Sequence, residues 1–489
     1  MNPVPDAPSE PSILLPGRNA WRIARADALA FLIDGEEYFA ALDKTLRTAR
    51  RSIRIVGWDF NPDIRLRPRE GGETLGVFLR RLVEREPELE IHILVWAMGP
   101  IYSSHSLKVF RRDGWSSHPR IHLCFDTRHA LRGSHHQKIV TVDDAIAFVG
   151  GIDLTGARWD TGRHAAHCPE RTRPNGEPYG PVHDVQAMFC GAAARAAADL
   201  ARWRWELAAG TKAAPVRDAR AAWPQEIRAD MRGCATAIAR SVPALSGLDE
   251  RRETFRLTRD ALAAAKRHIY IETQYLASFD IGDVLEERLA ERHGPEIAIL
   301  VTSSSRGLLE QFVMAHNRDR LIRRLHDADR FGRLRAMYAV VPAADGSECE
   351  VLIHSKVLIV DDAFVRIGSS NMNNRSEAMD MECDIAVEAA CADERRAIAA
   401  LRERLMAEHL DTSPAAVAAA MRRGGSLTGA IDRLNRRPRG LRPFSVDPAG
   451  GTAPVPGTTL LDPKRPFSPL RRAREVIASA VSRLMPGAL

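Results

Sequence analysis

The chain has 489 residues, of which 45% are hydrophobic and 27% are charged, and this length suits two or three domains with separate buried cores. The hydrophobic fraction excludes a wholly disordered protein, and no apolar stretch approaches the roughly 18 residues of a membrane span. Residues 1–16 lack the basic and apolar regions of a secretory signal, so we expect none. The seven cysteines are scattered without a CxxC pair, which argues against a disulfide framework or a zinc ribbon and favours a reducing compartment.

Two similar passages follow each other along the chain, with their parts in the same order and at nearly constant spacing. In each passage a helical pattern of apolar residues precedes a short apolar strand, and a second helix and strand follow. Corresponding segments are 49–55 and 265–271, offset by 216, then 136–143 and 354–361, and 150–153 and 368–371, both offset by 218. This period is too long for a solenoid and indicates two copies of one domain.

Strands that alternate with helices predict a mixed sheet flanked by helices in each copy. We therefore expect an α/β fold class with two tandem α/β-sandwich domains, related by a pseudo-twofold axis and sharing an active site at their interface. Pro215, Pro224 and Pro243 mark the segment between the copies. The predicted parts are an N-terminal extension (1–27), a first domain (28–207), a helical linker (208–247), a second domain (248–410) and a basic, Pro/Arg-rich tail (411–489).

The positive charge is concentrated in the last 58 residues, which hold eleven basic and four acidic residues and account for the whole net charge of +7. Residues 433–469 are rich in Pro, Gly and Arg, which predicts a flexible linker, and residues 470–484 have the spacing of a short amphipathic helix. This tail is either a solvated extension or an attachment to an anionic bilayer, where each basic residue contributes roughly 1 kcal/mol.

A pattern of His, one residue, Lys, four residues and Asp occurs once in each copy. For this composition about 0.03 chance occurrences are expected, so two at corresponding positions indicate a shared function. Strand side chains alternate, so each His shares a face with its Lys, roughly 7 Å away, whereas each Asp falls at odd register and is better placed to hold the backbone. The candidate catalytic residues are His136, Lys138, Asp143, His354, Lys356 and Asp361.

An imidazole beside a fixed ammonium group suits attack on a phosphoryl group. The lysine binds and neutralises a non-bridging oxygen, and the histidine acts as nucleophile or proton donor. If the two copies pack about a twofold axis, both histidines flank one phosphorus, so that one attacks in line while the other protonates the leaving oxygen. This chemistry requires no metal, and we expect no cofactor.

These motifs resemble those of the phospholipase D superfamily, and the resemblance covers nearly all of residues 30–410. It includes segments 55–60, 150–155, 269–275 and 368–376, and the passage around the first motif looks most like the two-copy phospholipases D. The resemblance implies a two-step, metal-independent reaction through a phosphohistidine. Family analogy favours His136 as nucleophile and His354 as general acid, and the sequence itself leaves both assignments open.

The resemblance also implies a carboxylate that hydrogen-bonds to each histidine and sets its tautomer. Asp184 matches this position in the first copy, and in the second copy Asp384 is the better match, with Glu382 a close rival. The residues implied to surround the phosphate are Ser369 and Asn371, with Gly151 and Asp153 at the equivalent positions of the first copy.

The resemblance further implies hydrolysis of the head-group phosphodiester of glycerophospholipids to phosphatidic acid and an alcohol, with transphosphatidylation as a second outcome. A cardiolipin synthase-like phosphatidyltransferase is the nearest alternative. A nucleic-acid phosphodiesterase is an alternative of another class, although the chain before the tail is neutral and shows no basic groove. We expect a cytoplasmic monomer that binds phospholipid and no nucleic acid, and that attaches to the inner membrane surface through its tail.

Other polar residues have less specific interpretations. His164, His167 and Cys168 lie in an extra loop of the first copy, but no fourth ligand follows at a suitable spacing, so we expect a surface or pocket-rim loop rather than a metal site. Glu272 and Gln274 fall at a strand end beside the expected site, where function and packing are equally good interpretations.

Overall fold

The computed structural model describes residues 11–99, 114–130, 132–217, 223–245, 248–304, 309–451, 458 and 462–464. The strands are β1 (Arg22–Ile33), β2 (Ser52–Gly57), β3 (Glu90–Trp96), β4 (Ile121–Asp126), β5 (Ile139–Val142), β6 (Ile146–Gly150), β7 (Val182–His183), β8 (Val185–Gly191), β9 (Cys234–Val242), β10 (Arg251–Arg252), β11 (His268–Thr273), β12 (Glu296–Val301), β13 (Leu334–Pro342), β14 (Glu348–Ile353), β15 (Lys356–Val360), β16 (Phe364–Gly368), β17 (Glu382–Glu388) and β18 (Gly440–Pro443). The helices are α1 (Asp34–Leu46), α2 (Leu75–Arg85), α3 (Ala192–Ala209), α4 (Glu253–Ala264), α5 (Phe279–Ala290), α6 (Leu309–Ala328), α7 (Asn374–Ala378), α8 (Ala392–His409), α9 (Pro414–Gly424) and α10 (Leu427–Leu434).

One large mixed sheet runs through both halves of the molecule. From its centre outwards, the first half contributes β1, β8, β6, β5, β2, β3 and β4. The second half contributes β9, β17, β16, β15, β11, β12 and β13 in the matching order. The two series meet where β1 pairs antiparallel with β9. The expected α/β fold class with two pseudo-twofold-related halves is therefore confirmed.

The two halves also share a hydrophobic core. The largest buried cluster joins strand residues of both halves with the apolar faces of α3 and α8. Two further clusters lie within single halves and pack α1 and α2, or α4, α5 and α6, against the sheet. The apolar periodicity of the sequence accounts for these faces, since Phe39, Leu42 and Leu46 of α1 are all buried. Strands covered by helices in this way hold their terminal residues in fixed positions.

The predicted helical linker over 208–247 is wrong, because it contains β9. This strand is free of proline, is buried along most of its length, and fills the position between β1 and β17. It is the counterpart of β1, which begins at Arg22 inside the predicted N-terminal extension. Each copy therefore starts with a central strand, at about residue 22 or 234, and the prolines lie outside that strand.

The tail prediction is wrong for its first part. Residues 414–434 form α9 and α10, each with a serine side chain at its N-cap, and their apolar residues Val417 and Ile431 are buried. β18 then pairs with β13 at the outer edge of the sheet. The predicted helix over 470–484 lies outside the described residues. Within the described residues, no helix combines the length and the apolar character needed to cross a bilayer.

Candidate active site

The two motif histidines stand at the entry of corresponding strands, and each is anchored by the opposite half. The backbone N–H of His136, just before β5, donates to the carbonyl of Met381 at 2.9 Å. The backbone N–H of His354, just before β15, donates to the carbonyl of His183 at 2.8 Å. These exchanged contacts bring both motifs to the junction of the halves.

The ring of His136 is fixed by groups of the second half. Its Nδ1 lies 3.0 Å from Glu382 Oε2 and 3.1 Å from the backbone carbonyl of Ser369. The Ser369 hydroxyl donates to the same carboxylate and accepts from the backbone N–H of Cys383 at 3.0 Å. Because a carbonyl only accepts, Nδ1 carries the proton, and in the neutral ring the lone pair sits on Nε2.

The ring of His354 is held in the reciprocal way by the first half. Its Nδ1 lies 2.6 Å from Asp184 Oδ2, and the other oxygen of Asp184 accepts from the backbone N–H of Val185 at 2.8 Å. Each histidine is therefore oriented by a buried carboxylate of the opposite copy. The sequence did not reveal this exchange, since it requires knowing how the halves pack.

The preference for Asp384 as the second carboxylate is wrong. Asp384 binds Arg366 at 3.0 Å and the backbone N–H of Ser370 at 3.1 Å, and it makes no hydrogen bond to either histidine. Strand register explains the error. Gly368 pairs with Asp384, as Gly150 pairs with Gln186. Glu382, two residues earlier, is consequently the counterpart of Asp184.

The two lysines occupy equivalent positions but have different partners. Lys138 Nζ lies 2.9 Å from Asp153 Oδ2, with both side chains buried. Lys356 Nζ bonds the carbonyl of His354 and lies 3.4 Å from the amide oxygen of Gln274. The residue equivalent to Asp153 is Asn371, and no ion pair among the described residues involves Lys356. Lys138 thus has a direct ion-pair partner, and Lys356 has none among the described residues.

Two candidate phosphate-binding residues of the first copy have other contacts. A Cβ atom at Gly151 would lie 2.1 Å from Asp184 Oδ1, so glycine there makes room for the carboxylate. Asp153 pairs with Lys138 and also accepts from the backbone N–H of Trp58 at 2.8 Å. In the second copy, Ser369 bonds Glu382, and Asn371 keeps a buried side-chain oxygen that has no hydrogen-bond partner in the described residues.

The motif aspartates, grouped above with the candidate catalytic residues, hold turns. Asp143 accepts from the backbone N–H groups of residues 50, 51 and 52 at 2.7–2.9 Å. Asp361 accepts from those of residues 266, 267 and 268 at 2.7–2.8 Å. Both have positive φ angles, 51° and 54°. They fix the start of β2 and β11 beside each motif strand, and their carboxylates make no hydrogen bond to the ring of His136 or His354.

Burial and the clustered cations tune the proton affinities of the site. Burial, with Lys138 and Lys356, lowers the pKa of His136 well below its usual range. Burial, with Lys356 and Arg158, also lowers the pKa of His354 well below its usual range. Burial lowers the pKa of Lys356 to about 7 and, together with Asp380, raises that of Glu382 to about 8. Each ring responds to the lysine of the other copy, so all four groups share one electrostatic site.

Arg158 lies in segment 158–160, which is part of the family resemblance, and it is a functional candidate for which the sequence indicates no role. It lies in the loop after β6, and after burial its charge contributes to the lowered pKa of His354 and of Lys356. Burial raises the pKa of Asp184 to about 6, and the charge of Arg158 partly opposes that rise. Its Nε is buried and has no hydrogen-bond partner in the described residues. The signal in the sequence is that segment 158–160 belongs to the family resemblance, and the contribution of Arg158 to the site becomes visible only in the fold.

Two His–Lys pairs meet at the junction of the halves, and each histidine takes its carboxylate from the opposite half, an arrangement that suits phosphodiester chemistry. Residues 258–405 match the family described as "Cardiolipin synthase, PLD-like domain". Phospholipase D1 of Saccharomyces cerevisiae is 27% identical over 73% of this chain and 26% of its own length. Phospholipase D1 of Schizosaccharomyces pombe is 24% identical over 78% of this chain and 35% of its own length. These matches support assignment of the chain to the phospholipase D superfamily.

A solved structure supports the fold assignment. Phosphatidylserine synthase of Haemophilus influenzae Rd KW20 superposes with a TM-score of 0.53 at 11% identity, over 84% of this chain and 96% of that one. The curated relatives are much longer, since the chain spans only about a quarter to a third of the two phospholipases D1. The rest of each phospholipase D1 lies outside the matched part.

Proposed function

We propose that the chain is a phospholipase D-type phosphodiesterase that releases the head group of a glycerophospholipid through a phosphohistidine intermediate. The observation that carries this proposal is the exchanged pairing of His136 with Glu382 and of His354 with Asp184. It gives one site two oriented imidazoles, as an in-line displacement with separate nucleophile and acid requires. The names of the curated relatives support a phospholipid substrate.

In the first step Nε2 of His136 attacks phosphorus, and the bond from phosphorus to the head-group oxygen breaks. His354 transfers a proton from its Nε2 to the departing oxygen. The phosphate anion of the substrate opposes the charges of Lys356 and Arg158, which raises the pKa of His354 and provides the protonated ring. The tautomer that Ser369 and Glu382 impose on His136 supports its role as nucleophile.

In the second step neutral His354 takes a proton from water, whose oxygen attacks phosphorus. The bond from phosphorus to His136 breaks, phosphatidic acid leaves, and His354 is again protonated. An alcohol in place of water gives transphosphatidylation by the same movements of atoms. The cations of the site stabilise the non-bridging oxygens, so the phosphoryl chemistry itself is proposed to proceed without a metal ion.

A phosphatidyltransferase is the second candidate, because the matched family description names cardiolipin synthase. It uses the same first step and differs only in the acceptor. A nucleic-acid phosphodiesterase finds no support among the named relatives. We also propose that the basic residues after Asp432 bring the enzyme to anionic bilayers, which carry its substrate.

Product analysis on vesicles tests this function. Purified protein is incubated with mixed vesicles of phosphatidylcholine, phosphatidylethanolamine and phosphatidylglycerol, and with single-stranded DNA in a parallel reaction. We expect phosphatidic acid and free head group, with about a 10³-fold loss in His136→Asn and in His354→Asn. The exposed His326→Asn is the matched control. Cardiolipin without phosphatidic acid would select the transferase, and cleavage of DNA alone would overturn the proposal.

A further inference from the structure

We propose that Asp34, His164, His183 and Glu408 form a binding site for one divalent metal ion of the Zn²⁺ class, separate from the phosphate-binding site. Each residue offers one ligand atom, and the four atoms lie within 4.8 Å of one another. Imidazole nitrogens and carboxylate oxygens are both ligands that this metal accepts. Asp34 begins α1, His164 lies in the extra loop, His183 ends β7, and Glu408 lies on α8.

The spacing of the ligand atoms fits a tetrahedral ion. Glu408 Oε1 lies 2.9 Å from His164 Nε2 and 2.9 Å from His183 Nδ1. Asp34 Oδ1 lies 3.0 Å from His183 Nδ1, and Asp34 Oδ2 lies 3.4 Å from His164 Nε2. Ligand bonds of about 2.0–2.1 Å at tetrahedral angles place neighbouring ligand atoms about 3.3 Å apart. The four separations of 2.9–3.4 Å are close to this spacing, and all ligand atoms lie within 4.8 Å of one another.

A second shell of carboxylates fixes both imidazoles. His164 Nδ1 lies 3.0 Å from Asp160 Oδ2, and His183 Nε2 lies 3.0 Å from Glu272 Oε2. Each ring thus turns one nitrogen to the cluster and donates the other to a carboxylate, the arrangement that orients metal-bound histidines. Glu272 is held in turn by the hydroxyls of Tyr270 and Ser355.

Two of the ligand atoms lack a well-aligned hydrogen bond. Asp34 Oδ2 and His183 Nδ1 are buried and make no well-aligned hydrogen bond in the described residues, although charged atoms lie close to both. Close approach without alignment is expected of atoms that point at a common ion rather than at one another. The loop lies at the surface, as expected of a surface or pocket-rim loop, with His167 exposed, but the side chain of His164 is turned inward and is 0% exposed. The missing ligands come from distant segments, which a search by sequence spacing does not find.

The metal would tie the two halves together beside the catalytic groups. Three ligands belong to the first half and Glu408 to the second. The backbone N–H of Asp34 donates to the carbonyl of Asp184 at 2.8 Å, and Ser355 neighbours His354. A surface cleft of about 310 Å³ is lined by Gly162, Arg404 and Glu408, and it provides an entry path for the ion. The role is structural, since the ion would hold Asp184 and not contact substrate.

Metal analysis of the full-length protein tests this inference. After growth with added Zn²⁺, we expect about one equivalent of metal per chain. Replacement by Co²⁺ should give the intense visible absorption of a tetrahedral site. Saturating Zn²⁺ should raise the Tm of chelator-treated protein by about 2–4 °C. His164→Ala should abolish the Co²⁺ absorption. His122→Ala is the matched control, since His122 belongs to a more exposed His/Glu cluster, and it should retain the absorption.

Two results would overturn the inference. Folded protein that contains no stoichiometric metal and takes up neither Zn²⁺ nor Co²⁺ would overturn the inference and leave a network of ion pairs. Loss of the Co²⁺ absorption in His122→Ala, with retention in His164→Ala, would place the metal elsewhere and would also overturn it. If His164→Ala does not fold, the metal content and Co²⁺ spectrum of the unaltered protein decide. None of these measurements depends on lipid turnover.

Discussion

At the scale of single residues, the two copies of the site differ in charge. Asp153 neutralises Lys138, whereas Asn371 occupies the equivalent position beside the second motif. Lys356 therefore combines a net charge with burial, and burial lowers its pKa to about 7. We infer that Lys356 is the main binding group for the substrate phosphate and that Lys138 mainly shapes the site.

A charge introduced at Asn371 tests this difference. Asn371→Asp would give Lys356 the partner that Lys138 already has, so the attraction for a phosphate anion should fall. We expect KM for vesicle lipid to rise about 10- to 100-fold, corresponding to the loss of one charge-assisted contact. The uncharged Asn371→Ser should change KM much less. Equal effects of the two substitutions would show that the charge of Lys356 does not bind substrate.

The pH dependence of kcat/KM reports the same lysine. The charged form of Lys356 is present below its pKa of about 7 and is lost as the pH rises. Because burial lowers the pKa of His136 well below its usual range, this ring is neutral near pH 7. Because His354 must also be protonated to act as the acid, we compare two enzymes at each pH. The ratio of kcat/KM in Lys356→Arg, whose guanidinium does not titrate, to kcat/KM in the unaltered enzyme should be constant below pH 7 and should rise as the pH increases above 7. A ratio that stays constant across pH 7 would show that the charge on Lys356 does not control the alkaline limb.

The histidines and lysines could be identified from the sequence because their spacing repeats. The pairing of each histidine with a carboxylate of the opposite half could not be identified in this way. Asp384 was preferred to Glu382 because position along the chain was compared without strand register, and only the pairing of Gly368 with Asp384 corrects it. The sequence predicts a surface or pocket-rim loop around His164 rather than a metal site, because the groups that surround its side chain are far away in sequence.

At the scale of secondary-structure elements, the motif strands depend on their turns. Asp143 and Asp361 each accept three backbone N–H groups from the segment that leads into the neighbouring strand. Both also adopt left-handed backbone conformations. The aspartates thus stabilise the scaffold that holds His136 and His354, without contacting either ring.

Glycine substitutions separate this role from catalysis. Asp143→Gly and Asp361→Gly keep the backbone conformation at no steric cost and remove only the carboxylate. We expect the Tm to fall by about 2–4 °C in each, with kcat at low temperature within a few-fold of the unaltered enzyme. The exposed Asp249→Gly is the control and should leave the Tm unchanged. A loss of kcat as large as that of His136→Asn, in a variant of normal Tm, would give the aspartates a direct catalytic role.

The elements found by periodicity were those with one buried face. Helix α1 was expected from its apolar spacing, and the motif strands from their β-branched residues. Strand β9 was not predicted, because both of its faces are buried and its sequence therefore shows no alternation. The nearby prolines favoured a linker instead. Helices α9 and α10 were missed because the basic composition of the tail masked their short apolar faces.

At the scale of the whole molecule, duplication has produced a shared site rather than two separate ones. The β1–β9 pairing makes one sheet of the two halves, and each half supplies the carboxylate for the histidine of the other. The proposed metal site spans the same boundary. Separated halves would lack an oriented imidazole, so we infer that the activity belongs only to the complete pair.

The most direct test of this account is capture of the covalent intermediate on one named histidine. A phosphatidyl ester of p-nitrophenol needs no proton on its leaving group, so His354→Asn should still react once and then stop for lack of a base. We expect a burst of one p-nitrophenol per chain and a phosphatidyl adduct on His136, mapped by mass spectrometry at neutral pH. His136→Asn should give neither. No adduct despite a burst, or an adduct on another residue, would contradict the account.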